Sequence, residues 1–304
     1  MQLTYGMHDW PNPVSLVIPD SSLSTHDNMA DFTLRVGFMA RFAAMANTNQ
    51  VIIYREYSSS DDRFASALET LLKFSVIPPY LRRRIFPLKE DLKYAGLMPP
   101  INIPTHPQSP RISVGDVRVA LLEGKRAWVD ADKFAVVKGG EPTPAPPGME
   151  GLTFIRITSL SPLEGELCRP TLYSGFFVRR TRKGLGATLK ELEGFKIATS
   201  RYGEDYRKLG VTLFNVAQRF KETFLIFGSP SSDLSEIAKR DGVSMKGLCD
   251  YTVNMDPGQV LKSIRTDEAI PLALITLNVL AATMGAKPQS PRNRVERTTS
   301  SAPL

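Results

Sequence analysis

The sequence has few residues of the kinds that build metal or redox centres. Among its 304 residues there are two cysteines and three histidines. Cys168 and Cys249 lie far apart and form no metal or redox motif, and His8, His26 and His106 are isolated from one another. We therefore predict no metal site. Such a low cysteine content suits a reducing compartment, and we expect a cytoplasmic protein.

Long apolar runs and phosphate-binding fingerprints are also missing. No stretch approaches the roughly 20 apolar residues of a membrane span, so we predict no membrane contact. The N-terminal segment has no basic region followed by an apolar one, and we expect no signal peptide. Neither G-x-x-x-x-G-K-[ST] nor G-x-G-x-x-G follows a predicted strand, and Gly184-Leu185-Gly186 stands alone as a turn. These absences argue against a nucleotide-binding α/β protein of other chemistry.

The chain does carry an excess of positive charge. Its net charge is +7 and its pI is about 9.4, which indicates a polyanionic partner, with nucleic acid first; a basic surface without such a partner is the alternative. The densest basic cluster contains Arg82, Arg83, Arg84, Lys89 and Lys93, with Tyr80, Phe86 and Tyr94 interleaved. Arginines beside aromatic rings suit contacts with RNA phosphates and bases, although a solvated helix face explains them as well.

Strand and helix patterns alternate over most of the chain, which predicts a parallel α/β sheet. The predicted strands cover residues 14–18, 50–55, 173–180, 195–199, 223–227 and 248–253. The predicted helices cover residues 31–46, 63–74, 80–86, 187–192 and 211–220, and a last helix runs from about residue 270. A loop is predicted at residues 200–204.

The middle of the chain has a different composition. Residues 98–110 are rich in proline, as in an extended linker, and about five short strands with glycine turns follow at 111–172. This pattern suggests an inserted small barrel of the oligonucleotide-binding type. We expect an α/β domain at 1–100 and 174–285, the inserted domain at 101–173, and a basic disordered tail at 286–304.

The stretch 220–280 holds the features most typical of a ligand site. Two predicted strands end there on turns containing glycine or proline, Gly228-Ser229-Pro230 and the turn at 254–259. Loops at strand ends bind ligands in α/β sheets, and such turns let the backbone approach a ligand closely. Either turn alone is explained as an ordinary strand-to-helix connection. Their clustering favours a site.

Several motifs together resemble a known family. They are VIPDSSL at 17–23, the helix at 35–41 leading into VIIY, residues 78–100, FFVRR at 176–180, ATSRYGED at 198–205, IFGSP at 226–230 and NMDPGQVLKSIRTDEAI at 254–270. With these motifs the sequence resembles the RNA methyltransferases of the SPOUT superfamily, in the archaeal and eukaryotic family with an inserted oligonucleotide-binding-like domain. The resemblance implies a trefoil knot in the C-terminal half, S-adenosyl-L-methionine as cofactor, structured RNA (ribosomal or transfer) as substrate, and a homodimer.

The resemblance also implies which residues hold the cofactor, mainly through main-chain groups. They are Thr199, Ser200, Phe227, Gly228, Ser229, Pro230, Asn254, Met255, Asp256, Pro257, Gly258, Gln259, Ser263, Ile264, Arg265, Thr266 and Ala269. Arg41 is the implied catalytic residue, because an arginine there can orient a phosphate and stabilise a developing alkoxide; a structural salt bridge is the alternative. Arg179 is a further candidate for RNA binding, and Glu268 for positioning a loop or capping the last helix.

The chain departs from the family pattern at three places. Val260 stands where the family usually has glycine after Pro257-Gly258-Gln259, and valine does not enter left-handed backbone space as glycine does. Gly228 is followed by Ser229-Pro230 where many members have two glycines. The insertion also looks shorter and more proline-rich than a full five-stranded barrel. Val260 favours the alternative function, which is a non-catalytic RNA-binding or assembly protein on the same fold with a degenerate cofactor pocket.

Overall fold

The computed structural model describes residues 10–25, 28–56, 62–107, 111–141, 151–169 and 173–284. Before the insertion, the chain forms β1 (Val14–Pro19), α1 (Met29–Met45), β2 (Gln50–Tyr54), α2 (Asp62–Val76) and α3 (Pro79–Ile85). Two short 3-10 turns follow, Glu90–Leu92 and Ala95–Leu97. No helix among these residues is long and apolar enough to cross a membrane.

The insertion and the second α/β part supply the remaining elements. The insertion contains β3 (Val117–Glu123), β4 (Arg126–Trp128), β5 (Phe134–Gly140), β6 (Leu152–Leu160) and β7 (Leu163–Leu167). After it come β8 (Phe177–Arg180), α4 (Leu185–Lys190), β9 (Phe195–Asp205), α5 (Tyr206–Ala217), β10 (Thr223–Ile226), α6 (Leu234–Arg240), β11 (Tyr251–Asn254) and α7 (Thr266–Thr283).

The α/β part is one six-stranded sheet in the order β11-β9-β10-β1-β2-β8, with every neighbouring pair parallel. The predicted parallel α/β fold is confirmed. All carboxyl ends of the strands therefore meet at one edge of the sheet. The last two strands in the sequence, β10 and β11, lie on opposite sides of β9, so the chain crosses the sheet between them.

Helices cover both faces of this sheet because its strands are apolar on both faces. Along β1, Leu16 and Ile18 belong to the core that contains the buried sides of α1, α2, α5 and α7. Val17, which points to the other face, belongs with Tyr54 to the core under α4 and α6. The sheet is thus the middle layer of three.

The insertion is a closed barrel in the strand order β3-β4-β5-β7-β6. The predicted inserted barrel is confirmed, and it has all five strands although the insertion looked short for them. Small residues such as Ala120, Ala127 and Ala135 fill its interior. The domain boundaries stay predictions, and the tail at 286–304 lies outside the described residues.

Several predicted element boundaries are wrong. β9 does not end at residue 199 but continues to Asp205, where the loop was predicted. α5 begins at Tyr206 instead of residue 211, because the Asp205 carboxylate accepts a hydrogen bond from the Arg207 N–H and caps the helix. β11 begins at Tyr251 and not at 248, since the preceding residues form a turn closed by the Leu248 N–H and the Met245 carbonyl, 3.0 Å apart.

Candidate functional site

A cavity of about 330 Å³ opens at the carboxyl ends of β9, β10 and β11, beside the first turns of α7. Its walls come from three segments of the chain. They are the residues of β9 from Thr199 onward, the loop between β10 and α6, and the loop between β11 and α7. Its volume lies at the lower end of the range for small-molecule sites, roughly 300–1,000 Å³. This is the part of the sheet edge where the sequence predicts a ligand.

The structure brings most of the predicted cofactor residues to this cavity. Those that line it are Thr199, Ser200, Phe227, Gly228, Ser229, Pro230, Asn254, Met255, Asp256, Gln259, Ser263, Ile264, Thr266 and Ala269. Pro257, Gly258 and Arg265 do not. Sequence reasoning missed Arg201, Tyr202, Ser231, Ser232, Asp233, Leu234, Glu236, Lys262, Leu272 and Ala273. Arg201 and Tyr202 lie inside the motif at 198–205, so that motif is the sequence signal that could have identified them.

The loop after β10 is fixed by hydrogen bonds from both sides of the sheet. The Phe227 N–H donates to the Val17 carbonyl at 2.9 Å, and the Tyr54 hydroxyl donates to the Phe227 carbonyl at 2.9 Å. Burial raises the pKa of Tyr54 well above its usual value, so the hydroxyl remains a donor. The Thr266 hydroxyl of α7 donates to the Gly228 carbonyl at 3.0 Å. This cavity wall is therefore rigid.

Gly228 is required here by close packing. A Cβ atom at this position would lie 2.8 Å from the Ser232 carbonyl oxygen, which is closer than real Cβ contacts. The Ser229 N–H closes the same turn by donating to the Ser232 carbonyl at 3.0 Å. The glycine of the predicted turn thus allows the backbone to fold back tightly at the edge of the cavity.

The loop after β11 is held by Asn254. Its side-chain oxygen accepts from the Asp256 N–H at 2.9 Å, and its amide nitrogen donates to the Arg201 carbonyl at 2.9 Å. Among the described residues, Asn47 is the only non-glycine residue with a positive φ, so Val260 does not occupy left-handed backbone space. Its side chain is 94% exposed. The loop therefore accommodates valine without the strain that the family pattern led us to consider.

β9 departs from regular pairing beside the cavity. Its residue Ala198 pairs with Thr252 of β11, and Glu204 pairs with Val253, so residues 199–203 have no partners in the register of β11. Pairing with β11 resumes at Glu204, and the adjacent Gly203 packs so closely that a Cβ there would lie 2.6 Å from the backbone of Val253. This bulge directs the residues between them to the cavity, and bulges often re-aim side chains beside functional sites.

Charges of both signs line the cavity. Burial alone would raise the pKa of Asp233, but hydrogen bonds from Ser235 and the N–H groups of Ser235 and Glu236, with the nearby Arg201 guanidinium, lower it on balance. Asp233 is the N-cap of α6 and forms a capping box with Glu236. These carboxylates are thus engaged in building the wall. No cluster of metal-ligating side chains occurs in the described part of the chain.

The predicted catalytic residue lies elsewhere in this chain. Arg41 is exposed on α1, donates to the Pro100 carbonyl, and does not line the cavity. Its neighbours on the same side of α1 include the exposed Phe38 and Met45. Arg41 and the cavity therefore do not form one site within a single chain.

The predicted RNA-binding residues have different environments. Arg82 is turned inward: its Nε donates to the Ile77 carbonyl at 3.0 Å, and burial lowers its pKa to about 10. Arg84 stacks on the barrel residue Trp128, with its guanidinium carbon 3.4 Å from the ring centroid. Arg83 and Lys89 are exposed. Arg179, on β8, is half-buried, and its Nε has no hydrogen-bond partner in the described part of the chain.

Comparisons with known proteins found a matching family profile, related sequences and similar solved structures. Residues 13–277 match the sequence profile of a family described as "Putative RNA methyltransferase". An uncharacterized protein from Halobacterium salinarum is 29% identical over 88% of this chain and 99% of its own length. The 28S rRNA (uridine-N(3))-methyltransferase of Drosophila melanogaster is 26% identical over 88% of this chain and 63% of its own length. Among solved structures, the SpoU methyltransferase AviRb from Streptomyces viridochromogenes, in complex with the cofactor AdoMet, is similar over 91% of this chain and 60% of that chain, with 10% identity and a TM-score of 0.37.

Proposed function

The chain belongs to the RNA methyltransferase family whose profile it matches over residues 13–277, and on that premise we propose that it transfers a methyl group from S-adenosyl-L-methionine to RNA. The observation that carries this proposal is the convergence on one cavity of β9, from Thr199 onward, and the loops after β10 and β11. We include in the proposal that the C-terminal half forms the trefoil knot of the SPOUT superfamily.

The cavity suits this cofactor because it is built from main chain in tight turns. Adenine offers both hydrogen-bond donors and acceptors, and backbone N–H and C=O groups supply both at fixed positions. The close turn at Gly228 and the turn at Asp256, whose N–H is held by the Asn254 side chain, bring such groups to the surface of the cavity. When bound, the cofactor supplies an electrophilic methyl carbon, so the chain contributes mainly orientation.

RNA is the proposed methyl acceptor. The net charge of +7 favours a polyanion, and Arg83 and Lys89 present exposed positive charge on and after α3. The relative from Drosophila is named for 28S rRNA and for N3 of uridine. Ribosomal RNA and a uridine ring nitrogen are therefore the first substrate and target atom to test, with transfer RNA as the second substrate.

We propose further that the working form is a homodimer. The helix α7 exposes Ile275 (60%) and Val279 (52%), which lie one turn apart, and α1, which packs against α7, exposes Phe38 and Met45. An apolar face of this kind favours association. Arg41 lies on the same exposed side of α1, and the proposal includes that a dimer through this face presents it to the partner's cavity. This arrangement reconciles its catalytic role with its distance from the cavity in its own chain.

Calorimetric titration with S-adenosyl-L-methionine and with S-adenosylhomocysteine tests the cofactor. We expect a dissociation constant in the micromolar range, about −8 kcal/mol. No heat with either ligand at high protein concentration would contradict the proposal and favour the non-catalytic alternative. Transfer of a labelled methyl group to ribosomal RNA then tests the reaction.

Variants at Arg41 test the catalytic residue separately. We expect Arg41→Ala to lose methyl transfer by at least about 100-fold, the size typical of removing one group that stabilises a transition state, while it retains cofactor affinity. Unchanged transfer by Arg41→Ala would show that the role is wrong.

The variant Ile275→Asp tests the dimer, because light scattering should then report a monomer.

A further inference from the structure

Two side chains on the bulge of β9 stand at the rim of the cavity and have no part in the sheet. Arg201 and Tyr202 line the cavity, together with Lys262 from the loop before α7. Tyr202 is 70% exposed, so its ring is not part of the core. A large aromatic residue next to a binding cavity on a strand bulge is a candidate ligand contact.

The backbone that carries Tyr202 is held in place on three sides. The Arg201 carbonyl accepts from the Asn254 side chain at 2.9 Å. The Tyr202 N–H donates to the Ser200 hydroxyl at 3.2 Å. The Arg201 guanidinium donates to the Lys262 carbonyl, which ties the bulge to the loop before α7. A ligand that contacts this ring therefore meets a surface that is already ordered, which lowers the entropic cost of binding.

The ring of Tyr202 is contacted by Arg201 and is otherwise largely exposed. The Arg201 guanidinium carbon lies 4.7 Å from the ring centroid, and the same guanidinium donates to the Tyr202 hydroxyl. Since the residue is 70% exposed, this contact leaves ring surface available to a ligand. Arg201 and Lys262 add positive charge beside it.

We propose that Tyr202 is a stacking site for an unpaired nucleobase of the RNA, at the entrance to the cofactor cavity. The inference rests on the proposed function, because it identifies what the RNA presents to this cavity. Every base has a π-face that stacks on an aromatic ring, whereas a base inside a duplex has both faces covered by its neighbours. The flanking phosphates lie within reach of the charges of Arg201 and Lys262, and a base whose ring is to be modified has to leave its helix to reach an enzyme group.

Binding of short RNA tests the proposal directly. The probe is a fluorescein-labelled single-stranded oligoribonucleotide of about 12 nucleotides, compared with the same strand annealed to its complement. The protein is the full chain, as wild type, Tyr202→Ala, Tyr202→Phe and Val211→Ala. Val211 is an exposed apolar residue on α5 that does not line the cavity, so it serves as the matched control.

We expect Tyr202→Ala to bind the single strand about 5-fold to 100-fold more weakly, which is the loss typical of one base–aromatic stack. Tyr202→Phe should bind like the wild type because it keeps the ring, and Val211→Ala should be unchanged. Duplex binding, which depends on phosphate contacts, should change little in any variant. Equal affinity of Tyr202→Ala and wild type for the single strand overturns the proposal. So does a loss in Tyr202→Phe as large as in Tyr202→Ala.

Cofactor titration of the same samples separates the two proposals. If Tyr202→Ala has the same thermal unfolding midpoint as the wild type, the variant is folded and any loss of single-strand affinity belongs to the RNA contact. If the wild type binds neither form of the cofactor, the proposed function fails, while the RNA titration still shows whether Tyr202 stacks a base. If the cofactor binds and Tyr202 has no effect on RNA, only the stacking proposal fails.

Discussion

One edge of the sheet carries two neighbouring polar regions of opposite character. At the ends of β9, β10 and β11 the loops leave an open cavity. At the ends of β1 and β2, the polar side chains bind one another. Both regions lie beyond the carboxyl ends of parallel strands, where α/β proteins usually bind ligands. The cavity lies in the first of these regions.

The second region is a buried network around Glu56, which is 1% exposed. One Glu56 carboxylate oxygen accepts from Arg240 at 2.7 Å, and the other accepts from the Ser21 hydroxyl. The Glu56 N–H donates to the Asp20 carboxylate at 3.0 Å. A buried charge is tolerated when it is paired and hydrogen-bonded in this way. The network therefore satisfies itself and stabilises the fold.

The comparison shows that position in the fold does not identify a site by itself. The cavity is bounded by tight turns and the bulge of β9, which leave space between these backbone segments. In the network, the charged side chains pair with one another. Tyr54 links the two regions, because its carbonyl accepts from the Asp20 N–H at 2.8 Å and its hydroxyl donates to the Phe227 carbonyl at the cavity. Changes at the cavity should alter binding, and changes in the network should alter stability.

The largest effect on cofactor binding is expected at the cavity wall. In Gly228→Ala the new Cβ meets the Ser232 carbonyl at 2.8 Å, so the backbone has to shift. We expect cofactor affinity to fall by at least about 10-fold, or 1.4 kcal/mol, measured by calorimetry. Gly139→Ala is the control, since nothing lies within 4 Å of a Cβ there. Unchanged affinity in Gly228→Ala would mean that this turn does not shape the pocket.

A change in the network around Glu56 should lower stability instead of cofactor binding. Glu56→Ala removes the partner of Arg240 and Ser21 and should lower the free energy of unfolding by about 2–3 kcal/mol, the usual cost of losing hydrogen bonds to a charged group. Cofactor affinity should stay the same. Denaturant unfolding measures the change, and Glu191→Gln, which breaks an exposed ion pair with Lys183, should cost less than about 1 kcal/mol. An equal loss of unfolding free energy in Glu56→Ala and Glu191→Gln would contradict the distinction between the buried network and an exposed ion pair.

Tyr54→Phe tests the link between the two regions. It removes one hydrogen bond to the buried Phe227 carbonyl and should cost about 1 kcal/mol of unfolding free energy. We also expect cofactor affinity to fall by about 5-fold, because the loosened loop lines the cavity. Tyr94→Phe, at a partly exposed tyrosine outside both regions, is the control. A stability loss without any change in affinity would show that the regions are independent.

The smallest effect is expected from Asp20→Asn. Burial raises the pKa of Asp20, in spite of the Glu56 N–H and the Arg180 guanidinium, which lower it. A carboxyl with a raised folded pKa binds its proton more tightly in the fold, so its contribution to stability is lost as the pH rises through that pKa. The variant should therefore be slightly more stable than the wild type at pH 7, and the difference should vanish below about pH 4. A stability difference between Asp20→Asn and the wild type that grows towards low pH would show that the folded pKa of Asp20 is lowered and not raised.

Much of this fold follows from local patterns. Apolar runs such as those around Leu16 and Ile52 predict buried strands, and helical spacing predicts α1, α2 and α7 between and after them. Turn chemistry also indicates the cavity, because Gly228 and the proline and glycine after Asp256 mark the strand ends. These features depend on residues close in sequence, which is why they were predictable.

Other features depend on partners far away in the chain. Glu56 meets Arg240 across 184 residues, and the Tyr54 hydroxyl meets the Phe227 carbonyl across 173. The bulge of β9 was predicted as a loop because a break in register depends on β11, which follows about fifty residues later. No local pattern reports such pairings.

The sequence alone thus determined the parallel α/β sheet, the inserted barrel and the turns that bound the cavity, because apolar periodicity and turn residues act locally. Only the tertiary structure decided which polar groups satisfy one another, as around Glu56, and which face a cavity, as Tyr202 does. The physical reason is that burial and hydrogen-bond satisfaction belong to the packed chain, since each requires a partner that folding brings into contact.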